Sequence, residues 1–141
     1  MSSLDLGVVG NGTYGALIDK WARVVWCCLP RLDGDPVFYD LLNGGEPKKD
    51  GEKDRGFWSI EIENASSSRQ YYRQNTAILV TELTDKDGNT IEICDFAPRF
   101  TQRERIFQPM TLVRRVRPLQ GSPRVRVRMR PAFNYGLREP D

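Results

Sequence analysis

The chain has 141 residues, of which 39% are hydrophobic and 28% are charged, and its formal net charge is +2. These values predict one soluble domain or part of one, and no apolar run approaches the roughly 20 residues of a membrane-spanning helix. The complete absence of histidine excludes Ser-His-Asp and Cys-His catalysis, and it excludes metal sites built on imidazole.

Alternation of apolar and polar side chains predicts β-strands along most of the chain. In chain order, the predicted strands are residues 6–9, 14–18, 24–29, 58–63, 78–83, 90–94, 111–117 and 124–130. One short helix is predicted near residues 37–42, since Pro36 suits a first helical turn and Asp35 is placed to cap it. Eight or nine short strands joined by turns predict an all-β fold, an antiparallel β-sandwich.

Gly10, Gly12 and Gly15 give the spacing G-x-G-x-x-G after an apolar run, which is typical of dinucleotide-binding turns. Such a turn must lead into a long helix, but residues 16–22 would span only about 10 Å as a helix. No later segment supplies another strand–helix–strand unit. We therefore favour a turn between two strands, in which Gly10 and Gly12 permit positive φ, and we expect no cofactor.

Two polar segments predict connections between strands. Residues 66–68 are three serines, which predict a loop, and Asp87-Gly88 is typical of a β-hairpin turn. Asp85, Asp87 and Asn89 also resemble the start of a calcium loop, but the later glutamate and the flanking helices of such a loop are missing. We therefore predict a hairpin turn and no metal site.

The three cysteines predict a reduced protein. Cys27, Cys28 and Cys94 are odd in number and lack C-x-x-C spacing, so we expect free thiols and no structural zinc. The N-terminus lacks the basic, apolar and small-residue order of a signal peptide. Both observations predict a cytoplasmic location.

Charge is distributed unevenly along the chain. Residues 1–95 contain 10 basic and 16 acidic side chains, whereas residues 96–141 contain 11 arginines and 3 acidic side chains. Within the acidic part of the chain, residues 1–95, Glu61 and Glu63 are predicted to share a strand face about 7 Å apart. That spacing is compatible with glycoside chemistry, although exposed glutamate pairs are far more often solvated surface.

The clearest alternation places four arginines on one face of a strand and apolar side chains on the other. The arginines are Arg124, Arg126, Arg128 and Arg130, and the apolar residues are Val125, Val127 and Met129. A nucleic-acid site would use such a row on phosphates, but it usually adds stacking aromatics, and none interleave here. The row can instead pair with acidic residues of neighbouring strands, such as Glu61, Glu63 or Glu92, or face a further protein layer.

Six segments, taken in this order, resemble the N-terminal domain of bacterial glycoside hydrolase family 15 proteins, the glucoamylase and trehalase-like group. They are residues 6–19, 24–38, 75–79, 94–99, 112–116 and 130–136. Each segment is weakly specific, but six in the right order are specific and cover nearly the whole chain. The chain departs from the family at the turn of residues 20–23, which lacks an expected glycine, and at Leu32, where an aromatic is usual.

The resemblance implies that residues 1–141 are an incomplete β-sandwich, truncated before a catalytic barrel of paired α-helices. In the family, two glutamates of that barrel hydrolyse α-glucosidic bonds with inversion, one as general acid and one as general base. We therefore expect this chain to have no catalytic residue and to be inactive alone. The catalytic barrel is its expected partner, and we expect contact with carbohydrate only within the full-length protein.

Pro30, Arg31 and Asp33 are the candidate site residues, on a loop expected to face the barrel and its cleft, because Arg and Asp suit polar contacts to sugar hydroxyls. An Arg–Asp pair that braces the loop is an equally favoured alternative. Open strand edges and an uncovered apolar face predict self-association or poor solubility. The alternative function is a small Arg-rich β module that binds nucleic acid or an acidic protein.

Overall fold

The computed structural model describes residues 5–28, 35–39, 56–109 and 111–131, and these residues form twelve β-strands and no helix. The first six strands are β1 Gly7–Gly10, β2 Gly15–Ile18, β3 Val24–Cys28, β4 Pro36–Phe38, β5 Phe57–Ile62 and β6 Ala65–Tyr72. The other six are β7 Leu79–Asp85, β8 Thr90–Phe96, β9 Phe100–Gln102, β10 Arg105–Phe107, β11 Val113–Gln120 and β12 Val125–Arg130. In the part of the chain that the structure describes, no helix has the length and apolar character needed to cross a membrane.

The strands form two main sheets and a separate hairpin. Sheet A has the order β1-β2-β3-β5-β12, with β4 also paired to β3, and sheet B has the order β11-β8-β7-β6. Strands β9 and β10 pair only with each other among the described residues. Every pairing is antiparallel, so the predicted all-β antiparallel sandwich is confirmed.

The core lies between the two sheets because each sheet turns one apolar face inward. One cluster joins residues of β1–β4, such as Val9 and Val24, to Leu79 of β7. A second cluster joins Ile60 of β5 to Leu83 and Ile93 of sheet B. Full burial of such a side chain contributes roughly 1.5–3 kcal/mol, so these two clusters hold the sheets face to face.

The helix predicted near residues 37–42 was wrong for its described part. Pro36–Phe38 form strand β4, and residues 40–42 lie outside the described residues. Phe38 pairs with Cys27 of β3, and its ring centroid lies 6.2 Å from that of Trp58. Pairing and burial against β3 therefore override a local signal of only a few residues.

The serine loop predicted at residues 66–68 was also wrong, because these residues belong to β6. Ser67 lies opposite Thr84, and Ser68 lies opposite Leu83 of β7. In the described sheet, β6 is an edge strand with most of its side chains exposed. A polar edge strand discourages pairing with other chains. Because its side chains are mostly polar, its sequence lacks the apolar–polar alternation that predicts a strand.

The turn between β2 and β3, at residues 20–23, has alanine at the position where glycine was expected. Ala22 has a φ of 64°, a left-handed conformation that glycine adopts at no steric cost. Asp19 holds the turn, because its Oδ1 atom accepts hydrogen bonds from the amides of Trp21 and Arg23, each at 2.9 Å. The chain thus keeps the turn with alanine in a position whose geometry suits glycine.

Candidate functional site

The candidate loop residues Pro30, Arg31 and Asp33 lie outside the described residues. The strands that flank them are described: β3 ends at Cys28, and Cys28 lies opposite Pro36, the first residue of β4. The described ends of the two strands are thus antiparallel neighbours in sheet A. The role given to these three residues stays a prediction.

The glycine motif lies in a hairpin, as the sequence favoured. Gly10 pairs with Gly15 at the end of the β1–β2 ladder. Gly12 has a φ of 90°, but Gly10 is not among the residues with positive φ, so that part of the prediction was wrong. Glycine at position 10 instead permits close approach, because a Cβ there would lie 2.7 Å from the Tyr14 carbonyl oxygen.

The polar groups of this hairpin turn bind the chain itself. The Asn11 side-chain amide donates to the carbonyl oxygens of Pro109, at 2.8 Å, and Pro98, at 3.3 Å. Its Oδ1 atom accepts from the Thr13 amide at 3.0 Å. These bonds tie β1–β2 to the segment after β8, so the Asn11 side chain works as a structural tie.

The calcium-like segment is the predicted hairpin turn between β7 and β8. The Asp85 carboxylate accepts hydrogen bonds from the amides of Asp87 and Asn89 and from the Asn89 side chain, at 2.8–2.9 Å. The bond from the Asn89 side chain is the main reason that the pKa of Asp85 lies below its ordinary value of 3.8. Within the described residues no cluster of three or more Cys, Asp or Glu side chains is arranged to hold a metal ion.

Two arginines of the row, one in β12 and one just before it, pair with the glutamates in β5 and at its end, which confirms the predicted ladder for these two pairs. Arg128 lies 2.8 Å from Glu61, and Arg124 lies 3.9 Å from Glu63. The row also covers an aromatic ring, because the guanidinium of Arg128 lies 5.4 Å from the centroid of Phe57. Arg23 lies over the same ring at 4.2 Å.

The opposite face of β12 is apolar and exposed. By register, Val125, Val127 and Met129 continue the inward row of β5, where Ile60 and Ile62 are buried. Nevertheless the three β12 side chains are 40–60% exposed. The uncovered apolar face expected from the sequence is therefore present, whereas the self-association deduced from it stays a prediction.

Glu92 forms a second charged cluster, on the outer face of sheet B. Its Oε1 atom lies 3.0 Å from Arg117, 3.8 Å from Arg115 and 3.9 Å from Arg73. The Cys94 thiol donates to the same oxygen at 3.4 Å. The prediction that Glu92 pairs with the β12 row was wrong, because β8 lies in sheet B between β7 and β11.

A buried ion pair between Asp95 and Arg114 lies in the sandwich interior, and sequence reasoning missed it. The two side chains are 0% and 1% exposed, and Arg114 Nε lies 2.7 Å from Asp95 Oδ1. Burial raises the pKa of Asp95 above its ordinary value, while the Arg114 guanidinium opposes this rise. A signal was present, since both residues occupy inward positions of strands whose other inward residues are apolar, and both lie in segments that carry the family resemblance.

The Arg114 guanidinium also reaches the opposite sheet. It donates to the carbonyl oxygen of Trp58 at 3.2 Å and to that of Ala22. It lies 5.1 Å from the centroid of the Trp58 ring. A guanidinium offers five donors in a fixed planar arrangement, so one side chain from β11 binds Asp95 in its own sheet, one backbone oxygen of β5 and one of the β2–β3 turn.

The sequence profile of a family described as "Trehalase-like, N-terminal" matches residues 4–139. Similar curated proteins include a trehalase of Thermoplasma volcanium, 26% identical over 95% of this chain and 20% of the relative. Two more come from Sulfolobus acidocaldarius: Trehalase 1, 30% identical over 96% of this chain and 20% of the relative, and Trehalase 2, 28% identical over 95% and 19%. The chain thus spans about a fifth of these relatives. No solved structure matches.

Proposed function

Because the chain belongs to the trehalase-like N-terminal domain family, we propose that it is the non-catalytic supporting domain of a hydrolase of α-glucosidic bonds, of the trehalase or glucoamylase type. The observation that carries the proposal is the aligned share. About 95% of this chain corresponds to only 19–20% of each trehalase. The remaining four-fifths of such a protein provides ample length for a separate catalytic domain.

The roles of the described carboxylates support a structural part in such an enzyme. Glycoside hydrolysis uses two carboxyl groups that face the substrate, one as an acid and one as a base or nucleophile. Here Asp95 is buried against Arg114, Asp85 caps a turn, and Glu61 binds Arg128. Glu92 is enclosed by three arginines. Each of these carboxylates already stabilises the fold.

The same proposal gives the chain its location and its contacts. Free cysteines at positions 27, 28 and 94 support a reducing, cytoplasmic environment. We assign the contact with the catalytic domain and its cleft to the loop of Pro30, Arg31 and Asp33, since arginine and aspartate suit polar contacts. Carbohydrate then meets this domain only as part of the full-length enzyme.

A domain exchange tests the supporting role. In Trehalase 1 of Sulfolobus acidocaldarius, the aligned N-terminal segment is replaced by this chain, which is 30% identical over 139 residues. Trehalose hydrolysis and solubility are compared for the chimera, the intact relative and the relative without its N-terminal segment. We expect the chimera to recover activity that the shortened protein lacks.

Two outcomes would contradict the proposal. Glucose release from trehalose or maltose by the 141-residue chain alone would show that it is catalytic. Full activity of the shortened relative would show that the catalytic portion needs no support. The alternative Arg-rich binding module is measured separately, as binding to random duplex DNA that weakens steeply with salt.

A further inference from the structure

Strand β1 is an edge of sheet A among the described residues, because β2 is its only neighbour in that sheet. In an antiparallel strand the N–H and C=O groups of one residue point to the same side, and successive residues alternate. Both backbone groups of Val8 bind a side chain outside sheet A, so they point away from β2. Gly10, two residues further along the same strand, directs its backbone groups to the same open side.

The hydroxyl group of Tyr72 occupies this open side at Val8. It accepts a hydrogen bond from the Val8 amide at 2.8 Å and donates one to the Val8 carbonyl oxygen at 3.0 Å. A phenol hydroxyl both donates and accepts, so one side-chain group satisfies the two backbone groups that an added strand would bind. Tyr72 belongs to β6, an edge strand of sheet B, and its hydroxyl therefore joins the two sheets at one side of the sandwich.

Close packing between the sheets brings β1 within reach of Tyr72. Tyr72 lies opposite Leu79 in the β6–β7 ladder. The Leu79 side chain approaches Gly7 of β1 so closely that a Cβ atom at position 7 would collide with it. Leu79 also belongs to the same buried cluster as Val9. The absence of a side chain at Gly7 therefore lets β1 approach sheet B, and Tyr72 extends past Leu79 to the next residue of β1.

The strand that Tyr72 covers is suited to pair with a second copy of itself. Residues 6–10 are Leu-Gly-Val-Val-Gly and carry no charge, so no like charges would meet across an antiparallel pair of these segments. A two-fold axis at Val8 would place Val8 opposite Val8, and the pair would exchange the same N–H and C=O groups that Tyr72 binds. The Val8 side chain is 55% exposed and would gain an apolar neighbour. An uncharged edge of this kind is a template for association.

We propose that Tyr72 is an edge guard, whose hydroxyl group occupies the backbone groups of Val8 and so prevents β1 from pairing with β1 of a second copy of this chain. The Tyr72 ring is 48% exposed and lies where the second strand would approach. The guard is a property of the domain itself and does not depend on the proposed function. It is also separate from the exposed apolar face of β12, because β1 and β12 are opposite ends of sheet A.

Substitution of Tyr72 in the 141-residue chain tests the guard. Tyr72→Phe removes the hydroxyl group, and Tyr72→Ala removes the ring as well. The matched control is Tyr71→Phe, since Tyr71 points to the opposite face of β6 and its ring lies against Arg69. Hydrogen exchange of the Val8 amide is followed by NMR, and association is measured by sedimentation equilibrium.

We expect the Val8 amide of dilute protein to exchange at least about tenfold faster in both Tyr72 variants than in the parent. As protein concentration rises, the variants should form dimers and this amide should become protected again. Tyr71→Phe should match the parent at every concentration, because it leaves both bonds to Val8 in place.

A second substitution identifies the edge that associates. Proline lacks the N–H group and is accepted at edge positions whose N–H points away from the sheet. Val8→Pro therefore blocks pairing at β1 while leaving the β1–β2 ladder in place. Added to Tyr72→Phe, it should return the chain to the association state of the parent. Association that persists in the double variant would lie at another edge, such as β12, and would overturn the proposal.

Other outcomes count against the guard as well. If both Tyr72 variants associate no more than the parent, β1 needs no protection. Equal association of Tyr71→Phe would show that loss of any phenol hydroxyl on β6 is sufficient. In the parent, protection of the Val8 amide that increases with protein concentration would show that the edge pairs despite Tyr72. This last measurement requires no variant, so it decides the question even if a substituted chain does not fold.

Discussion

The side chain of Arg114 lies directly across the β8–β11 ladder from Asp95 and makes the ion pair at 2.7 Å inside the sandwich. The same guanidinium donates to backbone oxygens of Trp58 in β5 and Ala22 in the β2–β3 turn. A buried charge is tolerated only when its partners satisfy it. The Arg114 side chain therefore connects the two sheets in the interior and satisfies the charge of Asp95 there.

Removing Arg114 is the most damaging change we expect among the described arginines. Arg114→Met leaves Asp95 buried without its partner and should lower the free energy of unfolding by about 3–5 kcal/mol. Arg114→Lys keeps the charge but lacks the planar set of donors, so a smaller loss of about 1–3 kcal/mol is expected. Denaturant titration followed by tryptophan fluorescence measures both.

The control for this experiment is Arg117→Met. Arg117 is exposed, and Glu92 keeps Arg73 and Arg115 after the change, so a loss below about 1 kcal/mol is expected. The double variant Asp95→Leu with Arg114→Met should stay destabilised, because two backbone oxygens lose their donor. Recovery of parental stability in the double variant would show that Asp95 alone requires Arg114.

The sequence could predict most of the longer strands, because the alternation of apolar and polar side chains is visible within each strand. It could not predict β4, since Pro36–Phe38 is too short for a period to be visible. It missed β6 because an edge strand is allowed to be polar. The local sequence around Arg114 or Glu92 does not state which strand lies alongside.

Which arginine pairs with which glutamate depends on the order of the strands in each sheet, and that order is a property of the whole fold. The β12 arginines lie beside β5, whereas Glu92 lies beside β11. The β12 assignment requires the crossing of the chain from sheet B to sheet A between residues 120 and 125. Inward charge at positions 95 and 114 was the available signal, because alternating strands rarely place ionised groups on a core face.

Ala22→Gly should be tolerated, although Ala22 is fully buried. Glycine relieves roughly 1 kcal/mol of left-handed strain at a φ of 64°. Against this gain, the variant loses the contacts of a buried methyl group, about 0.8 kcal/mol, and glycine gives the unfolded chain more conformational freedom. We expect a change within about 1 kcal/mol in the free energy of unfolding. Thermal and denaturant unfolding measure it.

The matched control is Ala16→Gly, since Ala16 is a buried alanine within strand β2. It loses a methyl group without relief of strain and should cost more than Ala22→Gly. Ala22→Val should cost about 2 kcal/mol or more, because a β-branched residue disfavours positive φ. If Ala22→Gly proves as damaging as Ala16→Gly, the conformation of the turn is not the cost that glycine removes.

Asp85 should make part of the stability sensitive to acid. The Asn89 side chain and turn amides hold the pKa of Asp85 below its ordinary value of 3.8. A lowered native pKa gives stability that is complete above the unfolded pKa and is lost as pH falls through the native pKa. Asp85→Asn should therefore lower the denaturation midpoint at neutral pH, and this deficit should shrink on acidification below about pH 4.

Asp87→Asn is the control for net charge, because it removes one carboxylate from the same turn while keeping the amide that Asp87 donates to Asp85. Midpoints are compared for the parent and both variants from neutral pH downward. A pH-dependent deficit shared by the two variants would indicate a general charge effect. A deficit in Asp85→Asn that stays constant with pH would contradict the role of its ionised carboxylate.

The three cysteines should be inert to thiol reagents while the protein is folded. All three are buried, and burial raises the pKa of Cys27 to about 12 and raises those of Cys28 and Cys94. Since the thiolate is the reactive form, modification by a disulfide reagent at pH 8 should be at least about 100-fold slower than in denaturant.

Lys86→Cys is the control for the activity of the reagent, because it places a thiol at an exposed turn position and should react at once. Labelling then requires opening of the sandwich, so its rate should rise in Arg114→Lys by about tenfold for each 1.4 kcal/mol of lost stability. Rapid modification of any native cysteine in the parent chain would show that the sheet around it opens without global unfolding.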